Sequence, residues 1–373
     1  MARQRRFPGF LLISLAFGVV WLVVSMLSTP LEAAMSGTLA QTIEGAKKEG
    51  TLRGQWSQNS YGGSEGFAEA VAGMNKKYGL NLKGQFTPGP DMQALLLRVA
   101  QEEAAGQPAS TDLYLGNAQG IFDALKAKVL NPVDWAGILE RRLPTETGFN
   151  PIASDGAYVA FATAVVGIQY NTNFVKGADV PKRLEDVLNP KWKGRIASTP
   201  YAAGMREFAM PDLLGREYVV DFTKKLSKQI GGLTRCGEAE RLTSGEFIML
   251  VLTCGGNDST VLQRKGAPIA HTVVQEGTIL HMRYAGVPKN SRSPNAAALF
   301  AAYLLTPEGQ ALLWKHDGLD LHLFPESHMK KDMDTVRAAG GKVAVNTPQW
   351  LGSLKGYSEM QKELEKILRE GGR

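Results

Sequence analysis

The spacing of apolar residues in the first part of the chain alternates between the period of a helix and the short runs typical of strands. Strand-like runs cover 52–56, 80–86 and 112–115. The helical faces between and after them are Phe67, Val71, Met74 and Tyr78; Met92, Leu95, Leu96 and Val99; and Ile121, Leu125 and Val129. Such alternation with short links predicts a parallel sheet covered by helices. We therefore expect a first α/β lobe.

The same alternation restarts after Tyr158. Strand-like runs cover 165–170, 195–197 and 247–252, and a helical face lies within 218–226. Beyond Gly286 the pattern is helical to the end of the chain, and no low-complexity linker separates the two blocks. Two domains without a linker are often joined by more than one crossing, and the cleft between such domains binds ligands by hinge closure.

The N-terminus carries the signature of an export segment. Three arginines among the first six residues precede an uncharged apolar run over 7–30, and small residues follow near Ala33 and Ala34. This pattern predicts a signal peptide over 1–34. The alternative is a retained membrane anchor, because the apolar core approaches the roughly 20 residues of a membrane span. In both cases we expect the bulk of the chain to be exported to the periplasm, tethered to the inner membrane in the second.

Composition and motifs exclude several classes of function. The 373 residues are 44% hydrophobic and 21% charged with a net charge of +6, which suits a globular protein of two domains. Basic residues are scattered among carboxylates, so we expect no nucleic-acid partner. The chain has no Gly-x-Ser-x-Gly elbow, no P-loop and no Cys-His nucleophile signature, so we expect no catalysis. The alternatives of another class are an exported hydrolase and a membrane-tethered sensor or accessory protein.

Cys236 and Cys254 are the two cysteines of the chain, and both lie in the predicted exported part. Disulfides persist outside the cytoplasm, so a bridge between them is one interpretation. Two free buried thiols are the other, because a sequence does not show whether the two Cα atoms come within bridging distance.

Two stretches resemble a known family. They are Gly-Ile-Gln-Tyr-Asn-Thr at 167–172 and the segment 184–196, which contains Asn-Pro-Lys-Trp-Lys-Gly. They are similar to the periplasmic solute-binding components of ABC transporters, extracellular solute-binding family 1, and in particular to its ferric-iron-type branch. Further stretches fit the same family in the same order: 98–106 before 112–115, 266–268 before 276–277, and 293–300 before 305–310.

The resemblance implies the type II periplasmic-binding fold, with two α/β lobes around a ligand cleft and two crossing segments. The first lobe would comprise 35–166 and 286–373, with the C-terminal helices returning to it, and the second lobe 167–285. The crossings would lie near 170–171 and 285–286. The resemblance also implies a small-molecule ligand, permease subunits in the inner membrane as partners, a monomer, and no cofactor.

Ligands of open α/β sheets lie outside the carboxyl ends of the strands, so the loops after the strands hold the candidate binding residues. The candidates in these loops are Ser57, Gln58 and Asn59; Asn117; Ser198, Thr199 and Tyr201; and Asn257 and Asp258. Arg283, just before the predicted second crossing, is a further candidate, because its fork of donors pairs with a carboxylate or phosphate. Each polar loop residue has a structural alternative as a turn or helix cap. For Arg283 the alternative to anion binding is an ion pair at the surface or between the lobes.

The loop after the run 247–252 carries most of the information about the ligand. Ferric-binding members of the family have two adjacent tyrosines in this loop, whereas Gly255 and Gly256 stand here. One carboxylate, Asp258, among amides makes a poor ferric site, and we predict no metal site. The expected solute is a small organic anion or a phosphonate-like compound, ahead of a polyamine and of ferric iron.

Overall fold

A computed structural model describes residues 37–146 and 148–371. The predicted export segment, 1–34, lies outside the described residues. The helices are α1 Leu39–Glu49, α2 Gly63–Tyr78, α3 Met92–Ala104, α4 Ala118–Ala127, α5 Trp135–Ile138, α6 Met205–Phe208, α7 Arg216–Ser227, α8 Glu240–Thr243, α9 Asn257–Arg264, α10 Pro294–Leu304, α11 Pro307–Asp317, α12 Met329–Ala338, α13 Pro348–Ser353 and α14 Tyr357–Gly371. The strands are β1 Thr51–Trp56, β2 Lys83–Pro88, β3 Tyr114–Asn117, β4 Val159–Val165, β5 Ile168–Asn171, β6 Ile196–Ser198, β7 Gly232–Leu233, β8 Met249–Leu250, β9 Ile269–Thr272, β10 Gly277–Gly286 and β11 Lys342–Asn346.

Polar side chains set the starts of the helices that border the cleft described below. Asp91 accepts hydrogen bonds from the backbone N–H groups of Gln93 and Ala94 at the start of α3. Asn117 accepts one from the N–H of Gly120 at the start of α4. These caps satisfy N–H groups that a helix leaves without an intrahelical partner. They hold both helix N-termini at the carboxyl ends of the preceding strands.

The strands of the described part form three hydrogen-bonded sets. The first sheet has the order β11-β10-β3 with β4 also paired to β10, and β1 and β2 form a separate parallel pair. The second sheet has the order β7-β6-β8-β5-β9. The expectation of parallel sheets is wrong for two strands. β10 runs antiparallel to β3 and β4, and β5 runs antiparallel to β8 and β9, because these strands carry the chain from one sheet to the other.

Two large hydrophobic clusters correspond to the two sheets. The first packs α10 against β1, β3, β4 and β10, and the side chains of α10 are buried from Ala296 to Leu304. In the second cluster, α7 packs against β5, β6 and β8. The structure thus has two α/β layers with separate cores, as the alternation of periods predicts.

The chain crosses between the sheets twice. The first crossing is at 166–167, since β4 ends at Val165 and β5 begins at Ile168. The second is at 273–276, between β9 and β10. The predicted second crossing near 285–286 is therefore displaced toward the C-terminus. The strand β10 pairs with the first sheet along its whole length. Polar residues interrupt its apolar run, so the sequence pattern does not show one continuous strand.

The last helix packs on the opposite side from the one predicted. Met360, Leu364 and Leu368 of α14 belong to the second hydrophobic cluster, and α14 lies against α7. The predicted first lobe includes 286–373 and therefore α14. An amphipathic helix shows which of its faces is apolar but not which core that face contacts, so the assignment of α14 required the tertiary structure.

Within 37–146 and 148–371, no single helix is long and apolar enough to cross a membrane. Taken together, the consecutive helices α10 and α11 are long and apolar enough for a membrane span, but the chain bends by 80° between them.

Candidate functional site

Two neighbouring cavities lie where the carboxyl ends of strands from both sheets meet. One has a volume of about 500 Å³ and the other of about 430 Å³, and they share Met92, Cys254 and Arg283 as wall residues. We call the larger one the Arg206 chamber and the smaller one the Asp317 chamber, and the two together the cleft. Each volume falls within the range of small-molecule sites, about 300–1,000 Å³.

Seven of the residues selected from the sequence line the cleft. Ser57, Asn59, Asn257, Asp258 and Arg283 line the Asp317 chamber. Asn117, Tyr201 and again Arg283 line the Arg206 chamber. Residues that are far apart in the chain meet here because the loops after the strands of both sheets open toward each other.

Three of the selected residues do not line either chamber and have structural contacts instead. Gln58 exchanges hydrogen bonds with Ser64, its Nε2 lying 3.2 Å from the hydroxyl of Ser64. Ser198 is fully buried and donates to the carbonyl of Val251. Thr199 accepts a hydrogen bond of 2.7 Å from the N–H of Ala203. The contacts of Gln58 and Thr199 match the turn and cap alternatives considered for such residues, whereas the contact of Ser198 links β6 to the residue after β8.

Arg283 is half-buried on β10, opposite Asn117 of β3. Its guanidinium has no hydrogen bond and no ion pair with any residue of the described ranges, although its charge acts on Tyr61 and Asp317 nearby. A guanidinium presents a planar fork of donors that binds carboxylates and phosphates through two parallel hydrogen bonds. The surface ion pair considered for Arg283 is therefore absent from the described part, and its donors face the cleft.

Two half-buried carboxylates face the same chamber. Asp317 accepts hydrogen bonds from the N–H of Tyr61, at 3.0 Å, and from the Asn257 side chain, at 3.4 Å. Burial raises the pKa of the Asp317 carboxyl to about 7, and the nearby charge of Asp258 also raises it. Oδ1 of Asp258 accepts from the N–H of Ser259 and from Nε2 of Gln169, and burial raises the pKa of this carboxyl too. The chamber thus places acceptors beside the Arg283 donors.

Sequence reasoning missed Tyr61 and Asp317. Tyr61 is 6% exposed, has a positive φ of 52° and follows the candidates Ser57, Gln58 and Asn59 in the loop between β1 and α2. Its hydroxyl is buried without a hydrogen-bond partner among the described residues. Asp317 ends α11, so a search of strand ends does not find it. The Asp-Gly pair at 317–318 is the one local signal, and it marks only a helix end.

The Arg206 chamber contains an arginine that is paired with a carboxylate of the protein. Glu207 is fully buried, and its Oε1 accepts hydrogen bonds from Nε of Arg206 at 3.0 Å and from the hydroxyl of Tyr357 at 2.8 Å. Nη1 of Arg206 donates to Gln361 at 2.6 Å. Burial alone would raise the pKa of Glu207, but Arg206 and His281 outweigh it and hold the pKa well below its usual range. This guanidinium is neutralised by the protein, unlike that of Arg283.

A disulfide joins two segments of the cleft wall. Cys236 and Cys254 are bridged with their Cα atoms 6.1 Å apart, within the usual range for disulfides. The N–H of Cys236 donates to the hydroxyl of Tyr201 at 2.8 Å. The bridge thus holds the 235–238 segment against the loop that leads into α9, whose first residues are Asn257 and Asp258.

Replacing both cysteines by serine should lower the free energy of unfolding by about 3 kcal/mol, because the bridge closes a short loop. It should also weaken solute binding, since both bridged segments line the Asp317 chamber. Urea unfolding and calorimetric titration of the double variant would check both effects. The matched control is the wild-type protein treated with reductant, which should show the same two changes. Unchanged solute affinity would show that the bridge stabilises the fold without positioning the wall.

The adjacent glycines of this loop leave no room for side chains. A Cβ atom on Gly256 would lie 1.8 Å from Cδ2 of His271, and one on Gly255 would lie 2.5 Å from the Cβ of Ala164. Gly255 also has a φ of +127°, which L-residues rarely adopt. A tyrosine pair would require a different loop conformation. Among 37–146 and 148–371, no three His, Cys, Asp or Glu side chains come together as a metal site.

Comparison with known proteins extends the resemblance seen in the sequence. An uncharacterized protein of Haemophilus influenzae is 28% identical over 173 residues, 44% of this chain and 50% of that protein. The chain therefore aligns with half the length of that relative. The major ferric iron-binding protein of Neisseria meningitidis serogroup A is 24% identical over 255 residues, 66% of this chain and 74% of that protein.

A solved structure shows the same fold. The substrate-binding protein of an ABC transporter from Agrobacterium tumefaciens superimposes with a TM-score of 0.66 at 15% identity, over 89% of this chain and 97% of that chain. The type II periplasmic-binding fold predicted from the resemblance is confirmed. The family model described as bacterial extracellular solute-binding protein matches residues 118–340, which is more than half of the chain. The chain belongs to the family of bacterial extracellular solute-binding proteins.

Proposed function

We propose that this protein is the solute-binding component of an ABC importer, outside the cytoplasmic membrane, and that its solute carries an anionic group bound by Arg283. The observation that carries the proposal is the state of this guanidinium. It is half-buried, lies in the wall shared by the two chambers, and has no ion-pair partner in the described part of the chain. A buried charge is stabilised by a partner of opposite sign, and a bound anion would supply it.

Hinge closure is the mechanism that this architecture supports. The walls of both chambers come from both sheets, and the chain crosses between the sheets at 166–167 and 273–276. A solute that contacts both walls favours the closed form by its difference in affinity for the two forms. Delivery to membrane permease subunits then needs no chemical change of the solute, so we expect no turnover.

Ferric iron and polyamines are the competing solutes. The name of the Neisseria relative states iron binding, but the loop that would offer a tyrosine pair here has Gly255 and Gly256 in tight contact with their surroundings. Polyamine binding is favoured by one observation, the two carboxylates Asp258 and Asp317 in the smaller chamber. Arg283 would repel an ammonium group beside it. We therefore rank a purely cationic solute below an anionic one.

A thermal-shift screen tests the proposed function. Protein freed of carried-over solute by unfolding and refolding would be screened against organic anions, phosphonates, polyamines, sugars and ferric salts. A ligand at 100 times its Kd stabilises the native state by about 2.7 kcal/mol. We expect saturable shifts with compounds that carry an anionic group. A response confined to ferric iron or to polyamines would contradict the role given to Arg283.

A further inference from the structure

We propose that the solute is zwitterionic, with its anionic group on Arg283 and a protonated amine held by Asp258 and Asp317 in the Asp317 chamber. This inference rests on the proposed function and names the chemical class of its solute. Short-chain aminoalkylphosphonates and amino carboxylates have this pattern of charge.

The fixed charges of the chamber require a partner of each sign. Arg283 forms no ion pair with Asp258 or Asp317, although all three line the same cavity. Both charges reach the Asp317 carboxyl: the charge of Arg283 lowers its pKa and the charge of Asp258 raises it, while burial raises it most. The remaining charged residues of the wall, Arg235 and Glu238, are exposed, and the Glu238 carboxylate accepts the N–H of Arg235. The inner part of the chamber therefore has a cation and two carboxylates that line one cavity without forming an ion pair with each other.

The chamber also has unused hydrogen-bonding capacity. Oδ2 of Asp258 accepts no hydrogen bond from the described residues, whereas Oδ1 accepts two. The hydroxyl of Tyr61, on a residue that is 6% exposed, has no partner in the described ranges and lies near Arg283 and Asp317. Leaving the buried hydroxyl of Tyr61 without a partner is costly. An ammonium group donates to several acceptors at once, so it would satisfy both atoms.

Molecules with charges of one sign fit the chamber less well. A dianion would bring its second negative group against Asp258 and Asp317, and a polyamine would bring an ammonium against Arg283. A zwitterion pairs each of its groups with the opposite charge. Because Arg283 and both carboxylates line one cavity of about 430 Å³, the two charges of the solute must be separated by a short chain.

Matched sets of compounds test this inference by calorimetric titration. One set is aminopropylphosphonate, propylphosphonate and propylamine, and the other is aminobutanoate, butanoate and butylamine; the two sets distinguish a phosphonate from a carboxylate as the anion. We expect the zwitterion of at least one set to bind the refolded protein about tenfold or more tightly than its amine-free analogue. Equal affinity for the zwitterion and the amine-free anion would overturn the inference and leave the proposed function standing. Binding of neither anion nor zwitterion in both sets would contradict the proposed function itself.

Two variants assign the amine to the chamber. Asp258→Asn should remove most of the preference for the zwitterion without weakening the amine-free anion. Tyr61→Phe, which removes only the hydroxyl, should reduce the preference in the same direction. Asp221→Asn, on the exposed face of α7, is the matched control and should change neither affinity. A preference that persists in both chamber variants would overturn the assignment, and an unchanged melting temperature would show that each variant is folded.

Discussion

Replacing Arg283 by glutamine is expected to weaken binding of an anionic solute by at least about 30-fold while the protein stays folded. Loss of one partner of a buried, hydrogen-bonded charge pair costs about 2–5 kcal/mol, and about 1.4 kcal/mol corresponds to a factor of ten in Kd. The variant should fold because Arg283 has no hydrogen bond or ion pair with the residues at 37–146 and 148–371. Glutamine is still able to continue β10, whose pairing depends on backbone groups.

Calorimetric titration with the best solute of the screen, together with the melting temperature without solute, would measure both parts of this prediction. Arg142→Gln is the matched control, since Arg142 is exposed and lines neither chamber. It removes the same charge and should leave Kd unchanged. An Arg283 variant that binds as tightly as the wild type would show that the anion, if one is bound, lies elsewhere in the cleft.

Replacing Glu207 by glutamine is expected to lower the free energy of unfolding by about 3 kcal/mol at neutral pH. Glu207 is fully buried and is the acceptor for both Arg206 and Tyr357. Breaking a buried pair by removing one partner costs about 3–5 kcal/mol, because the remaining charge stays desolvated without compensation. The exposed part of the Arg206 side chain, 29%, places the expected loss at the lower end of that range.

The same variant has an expected pH dependence. The pKa of Glu207 is lower in the folded protein than in the unfolded chain, so its contribution to stability is complete above the unfolded value, about 4.3. The contribution is lost as the pH falls toward the folded value. The difference between wild type and Glu207→Gln should therefore shrink below about pH 4.

Urea unfolding at several pH values would check this prediction. Glu370→Gln is the control, because Glu370 is exposed and its ion pair with Lys366 is long, at 3.9 Å. Such a surface pair contributes little. A constant stability difference across the acid range would contradict the charge-based explanation and would point to packing of the Glu207 side chain instead.

The comparison of sequence with structure is most informative at the cleft. The strand-end rule found Asn59, Asn117 and Asp258, because the order of strands and loops is encoded in local periodicity and every α/β sheet opens ligand sites at the same edge. The rule did not separate them from Ser198 and Thr199, which follow a strand equally well but are used as internal hydrogen-bond partners. The direction of a side chain at a strand end depends on its neighbours in space.

The two alternatives for the cysteines show a second limit. Whether Cys236 and Cys254 are bridged depends on a Cα separation of 6.1 Å, and no local pattern over their sequence separation of 18 encodes that distance. The tertiary fold also places Gly256 against His271. A tyrosine at this position would therefore clash with the His271 ring, which the sequence alone does not show.

By itself, the sequence determined the two α/β units, the order of most helices and strands, and the membership of the family, because helix and strand periods are local and survive substitution. Only the tertiary structure decided that β10 belongs wholly to the first sheet, that α14 packs on the second, and that Tyr61 and Asp317 meet Arg283. These three results depend on contacts between positions up to 256 residues apart, as for Tyr61 and Asp317. Such contacts follow from the packing of whole faces, and no window of the sequence contains both partners.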